Sequence, residues 1–108
     1  MSAWLWLLVA ILFEVAGTTC LKLSSGLSKT IPALLTGVFY VISFSTLAIT
    51  LKSLEVGLAY AIWAGLGTAL IALIGVLYFG ESLSLVKILS ILLIIAGVVG
   101  LNLSGGVH

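Results

Sequence analysis

The sequence predicts an all-α membrane protein with four transmembrane helices, and three observations predict it. Only 6% of the 108 residues are charged, against 63% hydrophobic; a soluble domain carries about 25% charged residues because it must meet water. The seven charges are Glu14, Lys22, Lys29, Lys52, Glu55, Glu81 and Lys87, and all but Glu14 fall in short interruptions. The uncharged stretches between them, Thr30–Leu51, Val56–Gly80 and Ile88–His108, run 22, 25 and 21 residues, each near the ~20 that cross a hydrocarbon core as a helix. The segment around Glu14 is the fourth. Lipid offers the backbone no hydrogen-bond partner, so spans of this length must be helical. Helices are expected over about 3–21, 31–51, 57–79 and 85–104, forming one transmembrane domain over 1–108.

The first span has no basic segment before it and no small-residue cleavage site after it, so it is expected to stay as a helix rather than act as a signal peptide. Trp4 and Trp6 stand where interface anchors belong. The KLSSGLSK stretch, Lys22 to Lys29, carries Gly and Ser turn signals, and Pro32 falls in the first turn of the second helix, where a missing N–H does little harm. Along that helix Tyr40, Ser43, Phe44 and Leu47 share a stripe. Lys52 to Glu55 leads into the third span, where Tyr60, Trp63, Ala64 and Gly67 repeat the spacing, Gly65 and Gly67 permit a bend, and Tyr78 marks an interface. Gly80 to Ser84 leads to the fourth helix, with Ser82 or Ser84 as its N-cap. There Ser90, Gly97, Gly100 and Ser104 form a small-residue seam suited to close helix approach. Cys20 is the sole cysteine, so no internal disulfide exists; it and His108 read as a packing residue and an exposed chain end.

Glu14 stands apart. Carrying an acid to the bilayer centre costs at least ~2.5–3.5 kcal/mol, so such a residue is a functional candidate by default. Every lysine lies at an expected helix end, which leaves no internal cation at that depth. The acid is therefore protonated, hydrated or paired with something from outside. On a helix its neighbours are Leu7, Ala10, Ile11, Gly17, Thr18 and Leu21, and the small ones among them leave room. Aromatic faces beside such a carboxylate suit a hydrophobic organic cation, which gains burial and cation–π attraction.

The short connections leave no space for an extramembrane domain, a nucleotide loop or a nucleic-acid surface, and no nucleophile constellation or metal-ligand cluster is present. The sequence argues against an enzyme and against a cofactor. With four spans, Lys52 and the N-terminal amine share one side while Lys22, Lys29 and Lys87 share the other. The positive-inside rule acts through such asymmetry; here it is small, and insertion in both orientations is expected.

The residues FEVAGTTCLKLSSG (Phe13–Gly26), the single Pro32 and GLAYAIWAGLG (Gly57–Gly67) together resemble the small multidrug resistance family of bacterial inner-membrane exporters, over nearly the whole chain. The resemblance implies an antiparallel homodimer that exports cations in exchange for protons by alternating access. It implies that Glu14 binds proton and substrate in turn. Trp63, Tyr60 and Tyr40 match positions lining the family's chamber, with Phe44 beside them, and Ser43 and Thr18 match polar neighbours of the acid. Gly65 and Gly67 match a kink in the third helix. Ser90 and Gly97 match the dimer contact, with serine where the first glycine is usual. The family's guanidinium exporters typically carry a tryptophan shortly after the acid. Val15-Ala16-Gly17-Thr18 instead matches the multidrug and quaternary-ammonium branch, with guanidinium export as the alternative. A reading from outside the family is a proton-conducting or structural membrane subunit with one carboxyl per helical unit.

Overall fold

A computed structural model describes residues 2–104 as four α-helices, α1 (Ala3–Leu23), α2 (Thr30–Thr50), α3 (Val56–Leu77) and α4 (Leu85–Leu103). The sequence's terminal His108 lies outside the described residues. All four helices are long and apolar enough to cross a membrane. The chain divides into two hairpins, residues 1–53 with α1 and α2, and residues 54–108 with α3 and α4.

In the first hairpin, the Ser2 hydroxyl caps α1 by accepting the Leu5 N–H at 3.3 Å. The helix runs through Lys22, whose charge suits the negative end of the dipole, to Leu23, two residues past the expected end. Ser24 stops it. This residue is fully buried, and its hydroxyl donates to the Leu21 carbonyl at 2.6 Å and accepts the Leu27 N–H at 2.9 Å. The Ser24 carbonyl accepts the Lys29 N–H at 3.0 Å. Between them Ser25, Gly26 and Leu27 take φ of 51°, 72° and 70°. Left-handed backbone costs a residue with a Cβ roughly 1–2 kcal/mol, so Ser24 holds a turn that Ser25 and Leu27 resist.

α2 then packs on α1 with an inverted pattern. Its buried residues are Thr36, Ser43, Thr46 and Thr50, at spacings of seven, three and four along one stripe. Its large apolar residues face outward, with Ile31, Leu34 and Val41 all more than 60% exposed. Lipid is the solvent for such a face, so apolar side chains need no protein cover, and small polar residues let two helices approach. The threonine hydroxyls of Thr36, Thr46 and Thr50 donate back to the Pro32, Ile42 and Thr46 carbonyls at 2.7–3.0 Å, which removes the cost of burying them. Against this stripe α1 buries Leu7, Ala10, Ile11, Val15 and Gly17.

In the second hairpin α3 runs unbroken through Gly65 and Gly67 to Leu77. It ends two residues short of the expected limit: the Phe79 N–H still makes a helical bond to the Gly75 carbonyl at 3.2 Å, and the Glu81 N–H then folds back onto the same carbonyl at 3.0 Å, closing the helix end. Gly80 turns the chain there with φ of 67°. Of the two candidate caps for α4, Ser84 serves, accepting the Lys87 N–H at 3.1 Å, while Ser82 lends its carbonyl to Lys87 Nζ at 2.9 Å. α3 packs tightly on α4 at Gly65, where a Cβ would stand 2.5 Å from Val98 and 3.2 Å from Ile94. Toward the connecting loop an apolar cleft of about 400 Å³ opens, walled by Leu70, Leu73 and Leu77 on one side and Ile88, Ile91 and Ile95 on the other. No described residue of α4 is buried.

Candidate functional site

The site is built on the first hairpin. Glu14 falls in the middle of α1 and is half-buried, at the edge of the face that packs against α2. Leu7, Ala10, Ile11 and Gly17, the neighbours expected on its face, are buried, while Thr18 is half-buried and Leu21 exposed. The lysines stand well away along the chain, Lys22 in the last turn of α1, Lys29 at the start of α2, Lys52 beyond its end and Lys87 in the first turn of α4.

One turn after the acid, Thr18 Oγ1 donates to Glu14 Oε1 at 2.9 Å. The same oxygen lies 2.7 Å from the Tyr40 hydroxyl on α2. A threonine hydroxyl has one proton. With that proton directed at Glu14, the shorter bond must be a donation from Tyr40 to Thr18. The arrangement is a directed chain, Tyr40 to Thr18 to the carboxylate, and bonds in such a chain polarise one another.

The glycine before Thr18 makes this possible. A Cβ at Gly17 would lie 2.6 Å from both Cδ1 and Cε1 of Tyr40 and 3.3 Å from the Phe39 Cβ, so the tyrosine ring rests on bare backbone. Phe39 in turn packs on Phe13, ring centroids 5.9 Å apart, and Tyr40 on Phe44 at 6.0 Å. Phe44 is 55% exposed, so its ring carries the aromatic surface of Tyr40 outward. Ser43 is fully buried, and its hydroxyl donates to the Ala10 carbonyl at 2.6 Å. In an α-helix that carbonyl also accepts the N–H four residues on, which is that of Glu14. Ser43 therefore ties α2 to the backbone turn that carries the acid.

The remaining sequence candidates belong to the second hairpin. Tyr60 is 69% exposed near the start of α3, and Trp63 follows one turn later, half-buried. Gly65 packs on α4 and Gly67 is buried. Ser90 and Gly97 lie exposed on α4, and a Cβ at Gly97 would meet nothing within 4 Å. Among the described residues no group of three His, Cys, Asp or Glu side chains could hold a metal. Spacing along α1 identified Thr18 as a neighbour of Glu14, because i to i+4 is fixed by the helix. It did not reveal the bond from Tyr40, which depends on how α1 and α2 register. The one signal for it was the glycine at position 17, which leaves room for a large ring.

A family model described as Small Multidrug Resistance protein matches residues 2–94. The membrane protein YvaE of Bacillus subtilis, named as uncharacterized, is 56% identical over 93% of this chain and 84% of its own length. Quaternary ammonium compound-resistance protein QacH of Staphylococcus saprophyticus is 44% identical over 97% of this chain and 98% of its own. A guanidinium exporter of Yersinia pseudotuberculosis is also 44% identical, over 94% and 98%. With a family match across most of its length and four membrane-capable helices, this multi-pass bacterial membrane protein belongs to the small multidrug resistance family.

Proposed function

We propose that the chain is a proton-coupled exporter of hydrophobic organic cations, with Glu14 as the group that proton and cation occupy in turn. The family consists of transporters, not enzymes, and its named relatives act on quaternary ammonium compounds and on guanidinium. The observation that carries the reading is the state of Glu14. It is a carboxylate in mid-span that accepts a bond from the uncharged Thr18 hydroxyl, itself bonded to Tyr40, and among the described residues the lysines are confined to helix ends and loops. A cation from outside supplies the missing charge, and so does a proton. The two exclude each other, and a gradient of one drives the other.

In this reading the four helices act as one transmembrane domain over 1–108, paired with a second copy in antiparallel fashion. Tyr40, Phe44, Tyr60 and Trp63 offer aromatic surface to the cation, while Thr18 and Ser43 position the acid. Gly65 and Gly67 let α3 bend as access alternates. Ser90 and Gly97 meet the partner copy. The open space beside Gly97 supports this last assignment, because among the described residues nothing within 4 Å requires a glycine there. The small lysine asymmetry of the loops supports insertion in both orientations.

The test is uptake into liposomes. Protein reconstituted under a pH gradient should accumulate a quaternary ammonium ion, and adding that ion to solubilised protein should release protons. Glu14→Gln should abolish both. Proton release that survives in that variant would overturn the assignment. Proton flux in the absence of any cation would favour the proton-conducting subunit instead.

A further inference from the structure

Where α3 ends and α4 begins, each helix carries a charge of the wrong sign. A helix is positive at its N-terminus and negative at its C-terminus, so acids favour the first turn and cations the last. Lys87 falls in the first turn of α4, where its ammonium adds to the positive end. One of its protons goes to the Ser82 carbonyl, which is neutral. Glu81 lies back over the last turn of α3: a Cβ at Gly75 would collide with its Oε1 and stand 2.8 Å from its Cδ. Its carboxylate adds to the negative end there. Among the described residues Glu81 and Lys87 form no ion pair with each other. Each is relieved by a group of opposite charge from outside.

Val76, Leu83 and Ile88, the sequence neighbours of these groups, line the loop end of the apolar cleft between α3 and α4. The cleft begins just past the Gly65 contact with Ile94 and Val98 and follows α3 from Leu66 to Leu77. That is eleven residue steps, or about 16 Å at ~1.5 Å each, roughly half of the ~30 Å hydrocarbon core. The cleft thus has the depth of one leaflet, and every residue lining it is Leu, Ile, Val or Ala. Ile88 and Ile95 of α4 face it. Ser90 and Gly97, proposed above to meet the partner copy, follow two positions later, about 200° round the helix. A second copy on that seam leaves the cleft to lipid.

We propose that the α3–α4 cleft seats one zwitterionic aminophospholipid, with an acyl chain in the cleft, its phosphate on Lys87 and its primary ammonium on Glu81. A chain enclosed by both helices gains dispersion contact along its length. The phosphate forms a charge-assisted bond with Lys87, and an ammonium with N–H groups does the same with the carboxylate. A choline headgroup has no N–H to offer Glu81, and a glycerol headgroup brings it no positive charge. The seat uses none of the residues proposed for transport.

The test titrates the full-length protein in detergent with phosphatidylethanolamine, phosphatidylcholine or phosphatidylglycerol of identical chains, bound lipid being counted by native mass spectrometry. Phosphatidylethanolamine should bind about threefold tighter than either of the others, the scale of one exposed ion pair. Glu81→Gln should abolish that preference, and Lys87→Gln should weaken all three lipids by a similar factor. Ala72→Phe, which fills the cleft from its α3 wall, should lose all three. Equal binding of the three lipids by wild type, tightest binding of phosphatidylglycerol, or a preference that survives Glu81→Gln overturns the proposal. An Ala72→Phe protein that keeps its lipid but loses its partner copy makes the cleft an interface between copies, and overturns the proposal as well. Should Ala72→Phe fail to fold, the headgroup comparison in wild type and Glu81→Gln decides alone.

Discussion

The two hairpins of this protein use opposite means to hold a pair of helices together. In the first, α2 buries Thr36, Ser43, Thr46 and Thr50 and exposes its large aliphatic residues, and side-chain hydrogen bonds join the helices at Ser43–Ala10 and at Tyr40–Thr18. In the second, α3 and α4 meet through Gly65 against Val98 and Ile94 and then part around an apolar cleft. The difference follows from what each must carry. A carboxylate in lipid needs donors held at fixed distances, so the helix pair that bears Glu14 is pinned by directional bonds. The other pair bears no acid within its span, and dispersion between small and branched side chains suffices.

Exchanging the acids of the two hairpins for glutamine gives the sharpest contrast. Glu14→Gln should eliminate pH-driven uptake, whereas Glu81→Gln, in the loop before α4, should leave it near wild type; equal losses would erase the distinction. Next in size is overpacking. Gly65→Leu places a side chain where Val98 already stands and should cost about 1–3 kcal/mol, read as a lower denaturation midpoint in detergent. Gly97→Leu, which meets open space, should leave that midpoint near wild type while weakening the pairing of copies, measured by cross-linking. Ser43→Ala should cost about 1 kcal/mol by deleting a buried bond. The smallest effect expected is a gain. Leu27→Gly removes a Cβ from left-handed backbone and should stabilise the first hairpin by a few tenths to about 1 kcal/mol. A loss there would mean that Leu27, 59% exposed, has a packing role that its exposure does not indicate.

The spans were legible because the charges mark their ends. Lys22, Lys29, Lys52, Glu55, Glu81 and Lys87 bracket helices whose observed limits fall within two residues of those expected. The misplaced ends have local causes. Lys22 and Leu23 contain nothing that stops a helix, and in the third helix the Glu81 N–H folds back onto the Gly75 carbonyl through the left-handed Gly80. Leucine does not announce a positive φ, so the left-handed run through Leu27 was hidden. In the site, Glu14 and Thr18 were legible together because one helix fixes their spacing. Tyr40 and Ser43 were expected near the acid, but their partners were not. Both bonds cross between helices, and sequence periodicity says nothing about how far one helix slides along another. For Ser43 the difference matters, because its proton goes to the Ala10 backbone rather than to the carboxylate.

The Ser24 turn has a consequence for how the chain is made. Its bonds run among Cys20, Leu21, Lys22, Ser24, Ser25, Leu27, Ser28 and Lys29, so the reversal is complete using residues translated within moments of one another. Contacts this local form early and quickly. The first hairpin can thus close, with Glu14 already held by Thr18 and Tyr40, while α3 and α4 are still being synthesised. The donor to the costly acid, and the tyrosine bonded to that donor, both belong to this hairpin, so the bonded acid needs no residue of α3 or α4.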